Sequence, residues 1–478
     1  MIFSSLEFLC VFLPAVYLLY CLIPGIHCKN ALLLIASLLF YAYGEPVYVL
    51  LMIFSAGFNY LFARWIAAFR FRKALLAIDI VVNLGLLVYF KYAAFFAETW
   101  THITGLQVTV PNIELPVGIS FFTFQALSYV IDVYYAKVLV QKSFWKVLLY
   151  ISFFPQLIAG PIVKYRGIKE ALSKRKMSLE WAADGMRRFI CGLAKKVLIA
   201  NTVGQTADII FQASATDINI LAAWIGAIAY MLQIYYDFSG YSDMAIGLGK
   251  MFGFQFEENF RYPYCATSIK EFWRRWHISL SSWFREYLYI PLGGNQKGTF
   301  RTGIHKLTVF FCTGFWHGAN WTFIVWGLYH GFFSTLEDLL PFTKKIPKPI
   351  TYLYTMLVVC IGFVIFRADT LPQAFSMIQQ MFTGTIFDDR SMSFVIEQLT
   401  PWFLTMLLVG FIGMGPIKPI VECCQRMICE GEKEENEQVT WKYHVVQMFL
   451  YIASAFLLAW CILRLSSNTY NPFIYFRF

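Results

Sequence analysis

Apolar runs recur along the whole chain, and short basic clusters separate them. The first run covers 8–23, the last covers 445–463, and several others lie between them. A helix of roughly 20 apolar residues spans a bilayer, and lysine and arginine collect in the cytoplasmic loops between such spans. Hydrophobic residues make up 58% of the chain and charged residues only 14%, which excludes an ordinary soluble globule.

The spacing of these runs predicts an all-α, multi-pass integral membrane helical bundle. We count about ten to twelve membrane segments, with short amphipathic or re-entrant helices among them. We find no internal repeat and no soluble domain, so one membrane-embedded domain is predicted over 1–478. The net charge of +10 does not indicate nucleic-acid binding, because the basic residues come in short clusters between apolar runs. The lipid bilayer is the expected partner.

The stretch 268–331 concentrates titratable and aromatic side chains more tightly than any other part of the chain. Its first half projects onto a helix with one aromatic stripe and a neighbouring cationic stripe. Such a helix is typical of one that lies along a membrane surface. His277 falls on the boundary between the two faces, where it could assist in chemistry or simply extend to the surface beside arginines.

The second half of this stretch places His317 between two apolar segments. Asn320 is a good N-cap for a helix that starts at Trp321, so His317 is predicted to lie in a break beside a helix N-terminus. The helix dipole disfavours imidazolium there, and desolvation acts in the same direction. Ionisable groups inside a membrane by default mark a functional site. A core histidine bonded to a backbone carbonyl is the alternative.

Other charged groups allow two interpretations each. Lys270, Arg274 and Arg275 would suit the phosphates of a coenzyme A donor, since arginine pairs with phosphate in bidentate fashion; they would equally suit a membrane surface. Asp237 and Asp243 could orient a histidine or coordinate a metal, and we favour structural hydrogen bonds over both roles. The histidine and cysteine spacings predict no metal site.

The motifs R-R-W-H-I-S-L-S (274–281) and W-H-G-A-N-W (316–321) resemble those of the membrane-bound O-acyltransferase family, in its bacterial alginate O-acetyltransferase branch. The resemblance continues in L-P-V-G-I-S-F-F (115–122) and Y-D-F-S-G-Y-S-D (236–243) and keeps its order along most of the chain. It implies that His317 is catalytic and that His277 is the family's second histidine. Trp316 and Asn320 are then supporting residues.

The resemblance also implies a function. We expect acyl transfer, with acetyl the favoured group, from cytoplasmic acetyl-coenzyme A toward an extracytoplasmic cell-envelope polysaccharide. No permanently bound cofactor is expected, and an extracytoplasmic acyltransferase partner would complete delivery. The expected location is the bacterial cytoplasmic (inner) membrane. Two alternatives remain open: D-alanyl transfer from a carrier protein to teichoic acid, and a transporter or flippase without covalent chemistry.

The chain ends in an aromatic motif, N-P-F-I-Y-F-R-F (471–478). It could be an interfacial anchor, which is common for tyrosine and phenylalanine. A similar terminal motif in related envelope acylation systems implies instead that Tyr475 relays the acyl group. The basic residues of 425–442 predict a cytoplasmic loop, so the last span leads to the opposite face. From there the tail is long enough to fold back into an outer funnel toward His317.

Overall fold

The structure, a computed structural model, consists of helices joined by short loops, and its described residues form no strand. It describes the whole chain except residues 109–112, 159, 176, 215–216, 297, 342, 344, 416, 418–440, 468–469 and 475–478, and the side chains of 441–444.

The described chain forms one α-helix after another, with a few short π-helical turns between them. The N-terminal half contains α1 (Leu13–Leu22), α2 (Ile26–Ala42), α3 (Tyr48–Ala68), α4 (Arg72–Thr104), α5 (Ile119–Tyr134), α6 (Phe144–Ser152), α7 (Phe154–Leu157), α8 (Tyr165–Ile168), α9 (Leu179–Ala194), α10 (Asn201–Gln212) and α11 (Ile220–Met251). The C-terminal half contains α12 (Ile269–Arg275), α13 (Ile278–Phe284), α14 (Thr299–His317), α15 (Trp321–Leu339), α16 (Lys348–Arg367), α17 (Leu371–Thr383), α18 (Asp389–Gln398), α19 (Pro401–Gly413) and α20 (Trp441–Ser467). Short π-helical turns precede α1, join α9 to α10 and follow α13 (Phe8–Phe12, Lys195–Ala200 and Arg285–Tyr289).

Five described helices are long and apolar enough to cross a membrane, namely α3, α4, α11, α16 and the Val445–Ser467 part of α20. Helices α18 and α19 meet the same criteria together, although they are bent by 65°. The shorter apolar helices Phe8–Leu22, α2 and α5 lie in the same bundle. The predicted all-α, multi-pass membrane architecture is confirmed.

Facing glycines bring α9 and α11 into backbone contact. A Cβ atom on Gly192 would lie only 2.5 Å from the carbonyl oxygen of Gly240. Small residues at a helix interface allow this close approach in membrane proteins. The contact places the π-helical turn Lys195–Ala200 beside the middle of α11, next to the buried carboxylate of Asp237.

Helices α14 and α15 form a tight hairpin by the same means. A Cβ atom on Gly314 would overlap the carbonyl oxygen of Phe323, and one on Gly327 would overlap that of Phe310. Glycine is therefore required at both positions for the two backbones to pack. The hairpin turns directly after His317, which ends α14.

The prediction of one surface helix through the first half of 268–331 is wrong. Helix α12 ends at Arg275 and α13 begins at Ile278, and His277 between them has a φ of +43°. That left-handed conformation is uncommon for a residue with a side chain. The amide of Ile278 donates to the carbonyl of Asn259 at 2.9 Å, so the preceding loop satisfies the broken end. His277 is consequently buried, with 1% of its surface exposed.

Candidate active site at the α14–α15 turn

The turn between α14 and α15 holds His317 as the sequence predicts. Helix α15 begins at Trp321, and the side-chain oxygen of Asn320 accepts from the amide of Thr322 at 3.1 Å. The predicted N-cap is therefore confirmed. Gly318 leaves helical geometry immediately after His317, and a Cβ atom there would overlap the ring of Phe323. Only glycine lets the chain turn this close to the neighbouring ring.

Two neighbouring cavities meet at this turn. One of about 200 Å³ is bounded by His317, Trp316, Lys91 and the 115–121 segment. The other, of about 300 Å³, lies beyond Gly318 and also contacts Lys91. His317 has 8% of its surface exposed, and its side chain forms part of the wall of the first cavity. A small hydroxyl compound or an acyl chain could reach the imidazole from that cavity.

Aromatic rings surround the imidazole of His317 on three sides. Its ring centroid lies 5.0 Å from that of Trp316, 5.1 Å from that of Trp326 and 5.2 Å from that of Phe366, all in edge-to-face arrangements. Edge-to-face contacts hold aromatic rings in fixed relative orientations. Trp316, a predicted supporting residue, therefore helps to orient the histidine.

Lys91 of α4 is a site residue that the sequence analysis did not single out. Its Nζ donates to the carbonyl oxygens of Trp316 at 2.7 Å and His317 at 2.9 Å. These carbonyls belong to the C-terminal end of α14, where the helix dipole favours a cation. Lys91 thus holds the backbone that carries His317. A lysine directly after the apolar run 74–90 was the available signal, because an ionisable group in a membrane span is costly.

His277 lies on the other side of Trp316. The Trp316 ring centroid is 6.3 Å from the His277 ring and 5.0 Å from the His317 ring. The edge of the His277 imidazole also meets Phe238, with 4.6 Å between centroids. The structure therefore brings the two sequence-predicted histidines together around one indole ring.

Asn259 determines which nitrogen of His277 carries the proton. Its Oδ1 accepts from the amide of Ser279 at 3.1 Å and lies 3.2 Å from Nδ1 of His277. A backbone amide can only donate, so the atom that faces Nδ1 is an acceptor. Burial lowers the pKa of His277 to about 3, which leaves a neutral imidazole at physiological pH. Its single proton is therefore on Nδ1, and Nε2 is an acceptor.

Asn259 was missed by the sequence analysis. It lies in an irregular segment before α12, and no periodic or motif signal marks it. The residue is fully buried. Its side chain and backbone together fix the break between α12 and α13, because the carbonyl accepts from Ile278 and Oδ1 accepts from Ser279.

Lys270, Arg274 and Arg275, the predicted donor-binding residues, lie on α12, while Arg285, which belongs to the same predicted basic cluster, follows α13. Lys270 forms an ion pair with Asp338, and Arg275 forms one with Glu271 at 2.6 Å. Arg274 is exposed. Arg274 can therefore reach a phosphate without losing an existing ion pair, whereas Lys270 and Arg275 would have to share or exchange theirs. Binding of coenzyme A by these residues stays a prediction.

Asp237 is buried in α11 and binds the end of the described chain. It forms an ion pair with Lys196, with 2.6 Å between Nζ and Oδ1, and its Oδ2 accepts from the amide of Ile474 at 2.9 Å. Ile474 and His317 both line a further small cavity of about 20 Å³. Tyr475 itself lies outside the described residues. Phe473 and Ile474 are buried and bring the tail to the wall of this cavity, and the approach of Tyr475 through an outer funnel stays a prediction.

Several known proteins are similar to this chain in sequence. A family model described as MBOAT, membrane-bound O-acyltransferase family, matches residues 119–367, which include both histidines. A probable alginate O-acetylase of Azotobacter vinelandii is 38% identical, with 100% of each chain covered. A peptidoglycan O-acetyltransferase of Helicobacter pylori is 35% identical over 80% of each chain. A teichoic acid D-alanyltransferase of Bacillus subtilis is 28% identical over 57% of this chain and 74% of its own.

Proposed function

Because this chain belongs to the membrane-bound O-acyltransferase family and is an integral membrane enzyme of that class, we propose that it transfers an acetyl group from cytoplasmic acetyl-coenzyme A toward an extracytoplasmic polysaccharide of the bacterial envelope. The position of His317 carries the proposal. It lies in the wall of a cavity, at a glycine turn, with its backbone held by Lys91. The alginate and peptidoglycan relatives support acetyl as the group and a glycan as the acceptor.

The orientation follows from the basic clusters. Lysine and arginine between α3 and α4 place that turn in the cytoplasm, which directs the far end of α4 and the 115–118 loop outward. The cavity at His317 contacts this outer loop, and the neighbouring cavity beyond Gly318 contacts Leu115. Lys270 of α12 pairs with Asp338 at the end of α15 that lies away from the His317 turn, so Arg274 on the same short helix is expected toward the cytoplasmic side. Donor and acceptor would therefore approach from opposite sides, in the inner membrane of a bacterium.

The reaction assigns one task to each histidine. The acceptor hydroxyl oxygen attacks the thioester carbonyl carbon, and His317 takes the hydroxyl proton as general base. The new C–O bond replaces the C–S bond, and the proton passes to the departing coenzyme A thiolate. Nε2 of His277, whose ring is held by Asn259, is an acceptor, so its task would be to accept a hydrogen bond from an N–H group of the donor and not to hold the anionic thiolate.

The C-terminal segment provides the acceptor in this proposal. Ile474 lines the small cavity beside His317, and the next residue in the chain is Tyr475. A phenol ester forms from a thioester and is reactive enough to pass its acyl group to a sugar hydroxyl. Tyr475 would receive the acetyl group, and an extracytoplasmic acyltransferase would then move it to the polymer.

Radiolabelled acetyl-coenzyme A tests this proposal on the purified protein. We expect label on the C-terminal peptide, assigned by mass spectrometry to Tyr475, and its loss in Tyr475→Phe. Tyr470→Phe is the matched control, because Tyr470 lies in the same tail but donates to Asp208 at 2.6 Å. Full polymer acetylation by Tyr475→Phe would remove the relay and leave direct transfer to another acceptor.

The same assay separates acetyl from D-alanyl transfer, which the Bacillus subtilis relative suggests. Acetyl-coenzyme A and a D-alanyl carrier protein are offered as donors in parallel. We expect turnover with acetyl-coenzyme A. Turnover with the carrier protein alone would replace acetyl by D-alanyl and coenzyme A by the carrier.

A further inference from the structure

The buried ion pair between Lys196 and Asp237 contacts the C-terminal tail with both of its members. We propose that this pair is a clamp whose task is to hold the tail in one register, so that Ile474 stays in the wall of the cavity that it shares with His317. Lys196 and Asp237 are then positioning residues for the acyl transfer. The catalytic purpose of the clamp rests on the proposed relay, but the clamp itself can be tested without it.

Both contacts are made to the tail backbone. Nζ of Lys196 donates to the carbonyl oxygen of Pro472, while Oδ2 of Asp237 accepts from the amide of Ile474 at 2.9 Å. A carbonyl and an amide two residues apart are thus held by one cation and one anion. A shift of the tail by one residue would break both contacts, so the pair fixes the register of the tail up to Ile474.

Burial strengthens these contacts, and it would make the ion pair unfavourable if the tail did not bind to it. Lys196 and Asp237 expose only 2% and 3% of their side chains. Two charges removed from water need further hydrogen bonds to satisfy their remaining capacity, and the tail backbone supplies one to each. Hydrogen bonds to ionised groups are about twice as strong as neutral ones. The tail is therefore part of the environment that stabilises this ion pair.

The rest of the segment fits the same position. The side-chain oxygen of Asn471 accepts from Asn201, and its amide group donates to Ser4 at 3.1 Å. Phe473 packs on Tyr241 of α11, with 4.4 Å between ring centroids. These contacts hold the tail just before and between the two residues that the ion pair binds, and the last described residue, Ile474, lines the cavity at His317.

A neighbouring ion pair joins the same two segments but makes no contact with the described tail. Lys195, the preceding residue, pairs with Asp243 of α11 at the same distance of 2.6 Å. Asp243 has a second partner, Arg188 of α9, which donates to it at 2.8 Å. This pair joins the same helices, yet its contacts run to α9 and to no described residue of the tail. Lys195 is therefore the matched control for Lys196.

Hydrogen exchange of the C-terminal peptide measures the clamp directly. In Lys196→Met we expect exchange at the Ile474 amide to rise roughly tenfold or more, because local opening no longer breaks the charge-assisted bond between Lys196 and Pro472. Lys195→Met should leave that exchange unchanged. Because Lys196→Met leaves a buried carboxylate that could prevent folding, Lys196→Met/Asp237→Leu is the second variant, since an apolar pair often replaces a buried ion pair without loss of stability. Wild-type exchange in the folded double variant would overturn the clamp.

The catalytic purpose needs a separate readout. In the folded Lys196→Met or double variant, kcat for labelling of the C-terminal peptide should fall about tenfold or more, while KM for acetyl-coenzyme A stays constant, as expected when only the acceptor is displaced. Lys196→Arg should restore part of the labelling. If wild-type protein carries no label on its tail but retains slow exchange at Ile474, the relay fails and the clamp stands. Unchanged labelling in a variant with fast exchange would overturn the positioning role.

Discussion

His317 and His277 are both buried, but the structure gives them different surroundings. His317 lies in a cavity wall at the end of α14, with its backbone carbonyl held by Lys91. His277 lies in an enclosed break between α12 and α13, and Asn259 faces its Nδ1. The first arrangement gives access to a substrate, and the second gives a fixed orientation. Access is what a general base requires, so the largest loss is expected at His317.

Substitution of His317 should have the largest effect. His317→Ala should reduce acyl transfer by at least about 10²- to 10⁴-fold, the usual contribution of general acid–base catalysis. The measurement is the initial rate with acetyl-coenzyme A in purified protein. Thermal unfolding and gel filtration show that the variant is folded. A near-normal rate in a folded His317→Ala protein would end the assignment of His317 as the base.

His277→Ala should have the next largest effect. We expect a loss of about 10²-fold in kcat, as is typical when one preorganised polar group is removed from an active site. Added imidazole should recover part of the rate, because the deleted ring leaves a space of its own size. Asn259→Ala should lose less, since it keeps the ring and removes only its anchor. Equal losses in both variants, without rescue, would mean that His277 serves folding alone.

Lys91→Met should have an intermediate effect through His317. It removes two charge-assisted hydrogen bonds to the end of α14, and we expect kcat to fall roughly tenfold as the imidazole loses its position. Lys91→Arg is the conservative control and should retain more activity. If Lys91→Met loses stability in a thermal scan but keeps its kcat, then Lys91 only caps the helix.

Arg274→Ala should have the smallest effect and should appear in binding. We expect the apparent KM for acetyl-coenzyme A to rise roughly two- to fivefold with little change in kcat, because exposed charge contacts contribute at most about 1 kcal/mol. The difference should shrink at high salt. Arg301→Ala is the control, since Arg301 is also exposed but lies on α14. A KM unchanged at every salt concentration would leave Arg274 as a membrane-surface residue.

Local patterns were sufficient for the helices and for the turn at His317. The predicted run 445–463 lies within α20 (Trp441–Ser467), and the N-cap at Asn320 begins α15 at Trp321 as expected. Hydropathy and capping depend on residues near one another in the chain, so they can be read without a tertiary structure. The motif resemblance added the family, and with it the two histidines.

Contacts between distant segments could not be read in this way. The amide of Ile278 is captured by Asn259, which breaks a helix that periodicity predicts as continuous. Lys91 reaches Trp316 from α4, and Lys196 holds the backbone of Pro472. Each of these contacts depends on how distant helices and loops pack against one another, which no local sequence pattern specifies.

The sequence by itself therefore determined a membrane helical bundle, its family and a histidine in a glycine turn. Only the tertiary structure decided that His277 is buried with its proton on Nδ1, and that Ile474 lies in the wall of a cavity that it shares with His317. The physical reason is that apolar runs and caps act within one segment. The environment of a buried polar group, in contrast, is set by the partners that folding brings to it.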